Sequence, residues 1–195
     1  MAYRYLLFYK PFNVLSQFTP GAEGLTQATL KDFVSVPSVY AVGRLDKDSE
    51  GLLLLTDDGP LQHRLSHPKF GHRRQYWVQV ERQPDEAALQ QLRLGVTIRG
   101  YRTRPAQVSA MTAPQLPPRT PPIRYRKQVP TAWLEMVLTE GKNRQVRRMT
   151  AAVGFPTLRL VRSALFLPTL TLTLTGLQPG QWRDLTDQER RSLPR

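Results

Sequence analysis

The feature that most limits the fold of this chain is a run of four consecutive leucines, Leu52–Leu55. Gly51 precedes the run, and an Asp-Asp-Gly turn follows at residues 57–59. A short apolar segment bounded by turn residues is typical of a strand that is fully buried. We therefore predict such a strand at 52–56, inside a packed core. A chain of 195 residues, 40% of them hydrophobic, can form that core, since a domain of this size buries roughly two-thirds of its unfolded surface.

The remaining segments predict many short strands and a few helices. Residues 105–130 contain seven prolines and are predicted to form an extended surface loop. Short strands with turn-length connections indicate an α+β fold, a mainly antiparallel, mixed sheet flanked by helices. The predicted strands are 5–9, 40–45, 76–81, 132–139, 157–162 and 169–175, and the predicted helices are 29–33, 61–66, 85–94, one N-capped by Asn143 that ends near Gly154, and a short terminal one.

Positive charge is concentrated in the later part of the chain. The net charge is +13, yet residues 1–59 carry 5 basic and 7 acidic residues. Residues 99–162 carry 13 basic residues and only 2 acidic ones. Arginine supplies 22 of the 28 basic residues, and its planar guanidinium binds phosphate through paired hydrogen bonds and stacks on bases. The pattern predicts a nucleic-acid partner that is held electrostatically.

Missing residues and motifs exclude several function classes. The sequence has no cysteine, which excludes disulfide scaffolds, cysteine-based zinc sites, iron–sulfur clusters and thiol catalysis. Glycine-rich nucleotide loops and the Gly-x-Ser-x-Gly motif are also absent from the sequence. His63 and His67 are predicted to be surface residues, so no metal is expected. Because no apolar run approaches the ~20 residues of a membrane span, we expect a soluble, cytoplasmic protein.

Three hypotheses account for the acidic segment at residues 46–50. A calcium loop would use Asp46, Asp48 and Glu50, but it needs a flanking helix on each side, where strands are predicted. A solvated acidic turn is the usual role of a charged run and suits Asp48 and Glu50 taken singly. The third hypothesis is a catalytic carboxylate at Asp46, which nearby arginines keep ionised and which acts as nucleophile or base.

A second functional segment is the basic helix that follows Glu140. Arg144, Arg147 and Arg148 have the i, i+3, i+4 spacing that places side chains on one helix face. Val146 and Met149 lie on the opposite face, so the helix is predicted to pack by one side and to offer guanidinium groups by the other. Its N-terminus adds a partial positive charge suited to an anion.

Both segments resemble the RsuA-type pseudouridine synthase family. The first match is Gly43-Arg44-Leu45-Asp46 followed by Ser49-x-Gly51-Leu52-Leu53, and the second is Glu140-Gly141 followed by Arg144-Gln145-Val146-Arg147-Arg148-Met149. Further matches at 121–127 and 154–160 resemble a branch of the family that acts on the large ribosomal subunit. The resemblance covers roughly residues 5–186.

The resemblance implies a function and a set of site residues. A specific uridine of 23S ribosomal RNA would be isomerised without a cofactor. Asp46 would be the catalytic aspartate, Tyr76 the ring that stacks on the target uracil, and Arg147 the partner of Asp46. Arg44 would help to position the flipped nucleotide. The residues expected to bind RNA around this site are Arg124, Arg126, Lys127, Lys142, Arg144, Arg148 and Arg159.

The domain organisation and the rival functions complete the expectations. Residues 1–195 are expected to form one catalytic domain with a central cleft, with two subdomains as an open alternative, and to act as a monomer. We expect no S4 RNA-binding domain, which many RsuA-type enzymes carry, and therefore expect the catalytic domain itself to recognise RNA. One rival is a non-catalytic rRNA-binding or ribosome-assembly protein. Another is a glycosidic-bond hydrolase, which would need a second carboxylate to activate water.

Overall fold

The computed structural model describes residues 3–19, 27–123, 126 and 128–194, which divide into two compact units. Unit 1 comprises Met1–His72 and Arg162–Arg195, and unit 2 comprises Arg73–Val161. The strands are β1 (Tyr5–Lys10), β2 (Tyr40–Ala41), β3 (Glu50–Thr56), β4 (Arg74–Glu81), β5 (Thr97–Ile98), β6 (Tyr101–Arg102), β7 (Gln107–Met111), β8 (Thr131–Leu138), β9 (Thr157–Phe166), β10 (Thr171–Thr173) and β11 (Trp182–Asp184). The α-helices are α1 (Gly59–Ser66), α2 (Glu86–Leu94), α3 (Gln145–Ala152) and α4 (Asp187–Arg191).

Unit 1 is built on β1 and β3. The strand order is β11-β1-β3-β9, with β2 added to β3 and β10 to β9. Strands β1 and β3 pair antiparallel, with Leu7 opposite Leu54 and Phe8 opposite Leu53. Successive side chains of a strand point to opposite faces, and both faces are covered here, because these four side chains are completely buried. The predicted fully buried strand is therefore confirmed.

Two apolar clusters cover the two faces of these strands. Leu7, Leu52 and Leu54 pack with side chains of α1 and of residues 167–185, whereas Phe8, Leu53 and Leu55 pack with residues 30–39. Full burial of one such side chain stabilises the fold by roughly 1.5–3 kcal/mol relative to exposure. The interior of unit 1 thus holds the strand that leads directly out of the acidic segment.

Unit 2 has the strand order β9-β4-β8-β7, and β5 and β6 form a separate hairpin. Strand β9 occurs in both units because the division falls between Val161 and Arg162. A single core cluster joins β4 and β8 to helices α2 and α3, through residues such as Val78, Leu92 and Met149. The fold is α+β with a sheet flanked by helices, as predicted.

Helices α1 and α2 each begin after an aspartate that caps them. The Asp85 side chain accepts a hydrogen bond from the Ala88 N–H at 2.8 Å and starts α2, which ends at Gly95. Asp58 starts α1 in the same way, accepting from the Leu61 N–H at 2.9 Å. Both are typical N-cap residues, whose side-chain oxygen satisfies an amide that the helix leaves unpaired. The predicted helix at 29–33 is a short 3-10 helix.

Several predicted boundaries were wrong. The strand expected at 40–45 ends at Ala41, and β10 is shorter than the predicted 169–175. Strand β9 extends to Phe166, well beyond the predicted end at 162. The proline-rich segment 105–130 contains β7, because residues near its start pair with β8 before most of the prolines occur. The hairpin β5–β6 and strand β11 were not predicted. In the described part of the chain, no helix has the length and apolar character needed to cross a membrane.

Candidate active site

Asp46 lies in unit 1, in the loop of residues 42–49 that connects β2 to β3. Its side chain is half-buried, whereas that of Arg44 is exposed. The Ser49 N–H donates to the Asp46 carbonyl at 3.0 Å, which closes a tight turn. Asp46 is therefore presented at the start of the turn, immediately before the chain enters the buried strand.

The main chain on both sides of Asp46 is fixed by hydrogen bonds from the segment after β1. The Ser16 hydroxyl donates to the Leu45 carbonyl at 2.7 Å and accepts from the Leu45 N–H at 3.1 Å. The Asn13 N–H donates to the Lys47 carbonyl at 2.8 Å. Since the residues before and after Asp46 are both held, the backbone that carries its carboxylate has little freedom.

Lys10, the last residue of β1, lies beneath this loop. Its side chain is completely buried. The Nζ donates to the carbonyls of Pro11 and Val14, each at 2.8 Å, and to that of Lys47 at 3.3 Å. A buried ammonium needs such partners because leaving it unpaired is very costly. Lys10 therefore joins the end of β1, the following turn and the Asp46 loop.

The surroundings of Lys10 balance burial against charge. Burial lowers its pKa from 10.5 to about 7, and the negative charges of Glu50, Asp48 and Asp46 act in the opposite direction. Arg162 is also buried, and its Nε donates to the Leu52 carbonyl at 2.7 Å. Two basic side chains thus lie in the interior of unit 1, Lys10 against the Asp46 loop and Arg162 against β3.

Gly51 permits the chain to pass from this loop into β3. Its φ is +111°, and a Cβ added there would lie 2.3 Å from the Arg162 carbonyl oxygen. Only glycine tolerates both that backbone conformation and that close approach. The glycine of the first sequence motif therefore has a steric reason.

The structure decides between the alternatives for the acidic segment only in part. Glu50 is 3% exposed and is the first residue of β3, so the prediction that it belongs to a solvated turn is wrong. The calcium-loop hypothesis fails because strands, not helices, flank the segment. Among the described residues, no group of three or more histidine or acidic side chains is arranged to hold a metal. The catalytic role of Asp46 stays a prediction.

Helix α3 lies in unit 2 and has the two faces that its sequence predicts. Val146 and Met149 are buried, Arg144 is exposed, and Arg147 and Arg148 are half-buried. The helix begins one residue later than predicted: Arg144, with φ +50°, is the N-cap in place of Asn143. The Asn143 side chain instead accepts a hydrogen bond from Arg148 Nη2 at 2.6 Å.

The basic loop, residues 140–144, leads into α3 and is organised by Glu140. Its side chain is 5% exposed and accepts three hydrogen bonds, from the Tyr101 hydroxyl at 2.6 Å, the Arg104 N–H at 2.9 Å and Gln145 Nε2 at 2.6 Å. Burial acts to raise the pKa of Glu140, but the bonds from Tyr101, Arg104 and Gln145 outweigh it and lower the pKa. Gln145 Oε1 also accepts from the Lys142 N–H at 2.8 Å.

Tyr76 belongs to the same unit as this basic loop. It is half-buried on β4, opposite Met136 of β8. Its ring packs against the core cluster that contains Val146 and Met149 of α3. Tyr76 and the arginine helix are therefore positioned by one core. The predicted pairing of Arg147 with Asp46 joins residues of different units and stays a prediction.

The other residues expected to bind RNA differ in their surroundings. Arg126 is exposed and pairs with Glu81 at 3.2 Å. The Lys142 Nζ lies 4.7 Å from the centre of the Tyr101 ring. Arg159 is only 7% exposed, and its Nη2 donates to the Pro117 carbonyl at 3.0 Å. Arg159 therefore anchors the proline-rich segment and presents little surface to RNA. Arg124 and Lys127 lie outside the described residues.

Sequence reasoning missed Lys10 and Arg162, and it noted Glu140 only as a motif residue, without its role as a buried hydrogen-bond acceptor. Lysine, glutamate and arginine are rarely buried, so a charged residue alone predicts exposure. One available signal was the position of Lys10, at the end of an apolar run and directly before Pro11. The rings of His63 and His67, predicted to be surface residues, contact each other with centroids 5.2 Å apart.

Comparison with known proteins bears on both sites. The sequence profile of the family described as RNA pseudouridylate synthase matches residues 4–152. Asp46, Tyr76 and Arg147 lie within that range. The match therefore includes the Asp46 loop, the strand that carries Tyr76 and the arginine helix.

Curated relatives align over most of the chain. The ribosomal large subunit pseudouridine synthase E of Xanthomonas campestris pv. campestris is 56% identical over 179 residues, which cover 91% of this chain and 93% of that protein. Its namesake from Vibrio vulnificus is 52% identical over 181 residues, covering 93% and 74%. The ribosomal large subunit pseudouridine synthase B of Bacillus subtilis is 34% identical over 192 residues, covering 97% and 70%.

Solved structures give the same result for the fold. A crystal structure of pseudouridylate synthase matches with a TM-score of 0.79 at 25% identity, covering 99% of this chain and 74% of the other. Human RNA pseudouridylate synthase domain containing 1 matches with a TM-score of 0.58 at 13% identity, covering 97% and 91%. The second similarity concerns the fold alone.

Proposed function

The chain belongs to the RNA pseudouridylate synthase family, and we propose from this that it isomerises a uridine of 23S ribosomal RNA with Asp46 as its catalytic residue. The observation that carries the proposal is the fixed backbone of the Asp46 loop, held by Ser16 and Asn13 above the buried Lys10. Such restraint is expected where a carboxylate has to meet one atom of a substrate.

The chemistry asks for one well-placed carboxylate. The bond from ribose C1′ to N1 of uracil breaks, a bond from C1′ to C5 forms, and the C5 proton is lost while N1 gains one. No atom is added overall and no electrons are exchanged with another compound. Asp46 promotes loss of the uracil either by attacking C1′ or by taking the C2′ proton, and both routes stay open.

Tyr76 and the arginines supply the remaining functions of the proposed site. The target base has to leave its stack, at a cost of a few kcal/mol, before Asp46 can reach the sugar. We assign the ring of Tyr76 to the extruded uracil and Arg44 to the flipped nucleotide. Arg147 pairs with the Asp46 carboxylate and orients it, since a guanidinium binds a carboxylate through paired hydrogen bonds. Tyr76 also assists removal of the C5 proton.

The substrate and setting follow from the relatives and from the charge. Relatives more than half identical to this chain are named for the large ribosomal subunit, which supports 23S ribosomal RNA as the substrate. Lys142, Arg144, Arg148 and the exposed Arg126 then bind its phosphates. We propose that the two units form one catalytic domain, which acts as a monomer in the cytoplasm without a cofactor.

The decisive experiment measures tritium release from ribosomal RNA that carries 5-tritiated uridine. We expect Asp46→Asn to lower the release rate by about a thousandfold or more, because the amide can neither attack C1′ nor accept a proton. RNA affinity should stay within about twofold of that of the unmodified protein, because the half-buried carboxylate of Asp46 contributes little to phosphate binding. The matched control is Asp187→Asn, an exposed aspartate of α4.

Two outcomes would contradict the proposal. Persistent release from Asp46→Asn would remove Asp46 from the chemistry. Tight RNA binding by the unmodified protein without any release would favour the non-catalytic rRNA-binding or ribosome-assembly protein. Carbodiimide labelling of 23S ribosomal RNA from a deletion strain tests the substrate, because loss of one signal identifies the modified uridine.

A further inference from the structure

The hairpin β5–β6 of unit 2 presents charged and aromatic side chains that the proposed catalytic site does not use. Ile98 and Thr103 are buried and attach the hairpin to the core. The Thr103 hydroxyl accepts from the Val96 N–H at 2.9 Å, and the Thr103 N–H donates to the Val96 carbonyl at 3.0 Å. Arg99, at the tip of the hairpin, and Tyr101 are exposed. The hairpin is thus a firmly attached element with a basic tip.

The residue at the tip is unfavourable for the backbone it occupies. Arg99 and Gly100 form the two-residue turn and have φ values of +48° and +75°. Turns with two positive φ values favour Asn-Gly, because a larger side chain is strained in the left-handed region. Asparagine at position 99 would therefore make the fold more stable. Arg99 places a guanidinium at the tip and lowers the stability of the turn.

Tyr101 is held in a fixed orientation beside this tip. Its hydroxyl donates to the buried carboxylate of Glu140 at 2.6 Å, and the Lys142 Nζ lies 4.7 Å from its ring centre. The residue is nevertheless 37% exposed. An exposed ring that is already oriented can stack on a base with little further loss of conformational freedom.

The exposed charges of the hairpin and of the loop before α3 are of one sign. Arg99, Arg104, Lys142 and Arg144 are exposed, whereas the one carboxylate in residues 97–104 and 140–144, that of Glu140, is buried. Exposed cations around an aromatic ring are the combination with which proteins bind single-stranded nucleic acid. Arg102 lies on the other face of the hairpin, where it lines a separate open cleft.

We propose that Arg99, Tyr101 and Lys142 bind single-stranded ribosomal RNA at nucleotides other than the reacting uridine. Arg99 and Lys142 bind backbone phosphates, and the ring of Tyr101 stacks on an unpaired base. The contact rests on the proposed function, because it assumes the same RNA substrate. It adds affinity and selectivity for single strands, and it takes no part in the chemical step.

Arg99→Asn gives the sharpest test, because folding and binding respond in opposite directions. The substitution relieves the strained turn, so the melting temperature should rise, while affinity for a single-stranded ribosomal RNA fragment falls. Losing one phosphate contact should reduce the slope of log affinity against log salt by about 0.7. The matched control is Arg82→Asn, an exposed arginine that also has a positive φ, +65°. It should gain stability without the loss in binding.

Tyr101 variants separate stacking from the bond to Glu140. Tyr101→Phe keeps the ring and should bind the fragment within about twofold of the unmodified protein, whereas Tyr101→Leu should weaken binding by about fivefold or more. In the tritium assay, Tyr101→Leu should raise KM and leave kcat unchanged.

Binding and salt slopes of Arg99→Asn and Tyr101→Leu equal to those of the unmodified protein would overturn the contact. Unchanged RNA binding with lost co-sedimentation on ribosomal subunits would assign the hairpin to a protein partner and overturn it too. A protein that binds RNA through the hairpin but releases no tritium would refute the proposed function while supporting the contact.

Discussion

Each of the two units holds a loop with a buried charged side chain, but the buried charge has the opposite sign in the two units. Unit 1 buries two basic side chains, Lys10 against the Asp46 loop and Arg162 against β3. Unit 2 buries an acidic side chain, Glu140, beneath a basic loop and hairpin. In each unit a buried charged group binds a neighbouring segment: Lys10 donates to the Lys47 carbonyl, and Glu140 accepts from the Arg104 N–H and Gln145 Nε2. The buried charge therefore helps to fix the loop that it contacts.

The two units also differ in net charge. Unit 2 carries 16 basic and 5 acidic residues, whereas unit 1 carries 12 basic and 10 acidic ones. A concentrated charge attracts a polyanion over a distance, whereas a single fixed carboxylate acts only at contact. We therefore expect unit 2 to supply most of the electrostatic attraction for an RNA, and unit 1 to supply the proposed reacting carboxylate of Asp46.

Lys10→Met should have the largest effect on stability. It removes the buried amine and leaves the carbonyls of Pro11, Val14 and Lys47 without their donor, which we expect to lower the free energy of unfolding by about 3 kcal/mol. Urea unfolding measures the change. Lys31→Met is the matched control, because Lys31 is exposed. A loss no larger than that of the control would show that unit 1 does not depend on its buried amine.

Glu140→Ala should have the next largest effect. The hydroxyl of Tyr101, the N–H of Arg104 and the side-chain amide of Gln145 lose their acceptor, at an expected cost of about 2 kcal/mol. RNA affinity should fall as well, because the hairpin and the basic loop lose their common anchor. Glu135→Ala, a half-buried glutamate of β8, serves as the control. If it matches Glu140→Ala in both measurements, the central role of Glu140 is refuted.

The smallest expected effect, counted per unit of pH, is a difference in pH dependence. The folded pKa of Lys10, about 7, lies below its unfolded value of 10.5, so the unfolded chain binds the proton more tightly. The free energy of unfolding should therefore gain up to about 1.4 kcal/mol per pH unit from Lys10 as the pH rises above 7. The facing charges of Asp46, Asp48, Glu50 and Arg162 are included in that pKa.

Variants isolate this contribution in chemical denaturation between pH 7 and 9. The curve for Lys10→Met should be flatter than that of the unmodified protein. The curve for Glu140→Ala should stay parallel to the unmodified one, because a carboxylate is ionised in both states over this range. Parallel curves for all three proteins would contradict the lowered pKa of Lys10.

Much of the fold could be predicted because hydrophobic pattern and turn residues agree with it. The leucines of β3, the alternation of β8 and the Asp85 cap of α2 all act locally, and their elements were predicted correctly. The hairpin β5–β6 could not be predicted in this way. Its turn is Arg-Gly, which lacks the Asn-Gly signal, and each strand has only two residues.

The sequence motifs of the candidate site could be predicted, but the buried residues that hold its loops could not. Asp46, Tyr76 and Arg147 stand in long motifs that can be read from the sequence. Lys10 acts on a carbonyl 37 residues away, and Glu140 on an amide 36 residues away. No local pattern encodes such pairings, because they depend on how distant segments come together. Burial of a charge is therefore visible only in the folded chain.

The discontinuity of unit 1 has a consequence for the order of folding during translation. Its strand β1 pairs with β11, where Phe8 lies opposite Trp182. The ribosome therefore has to synthesise all of unit 2 before β1 can meet that neighbour, whereas unit 2 is one continuous segment. Domains fold largely as units as they emerge. The nascent chain can thus complete unit 2 first, whereas unit 1, which carries Asp46, can close only after β11 has been synthesised.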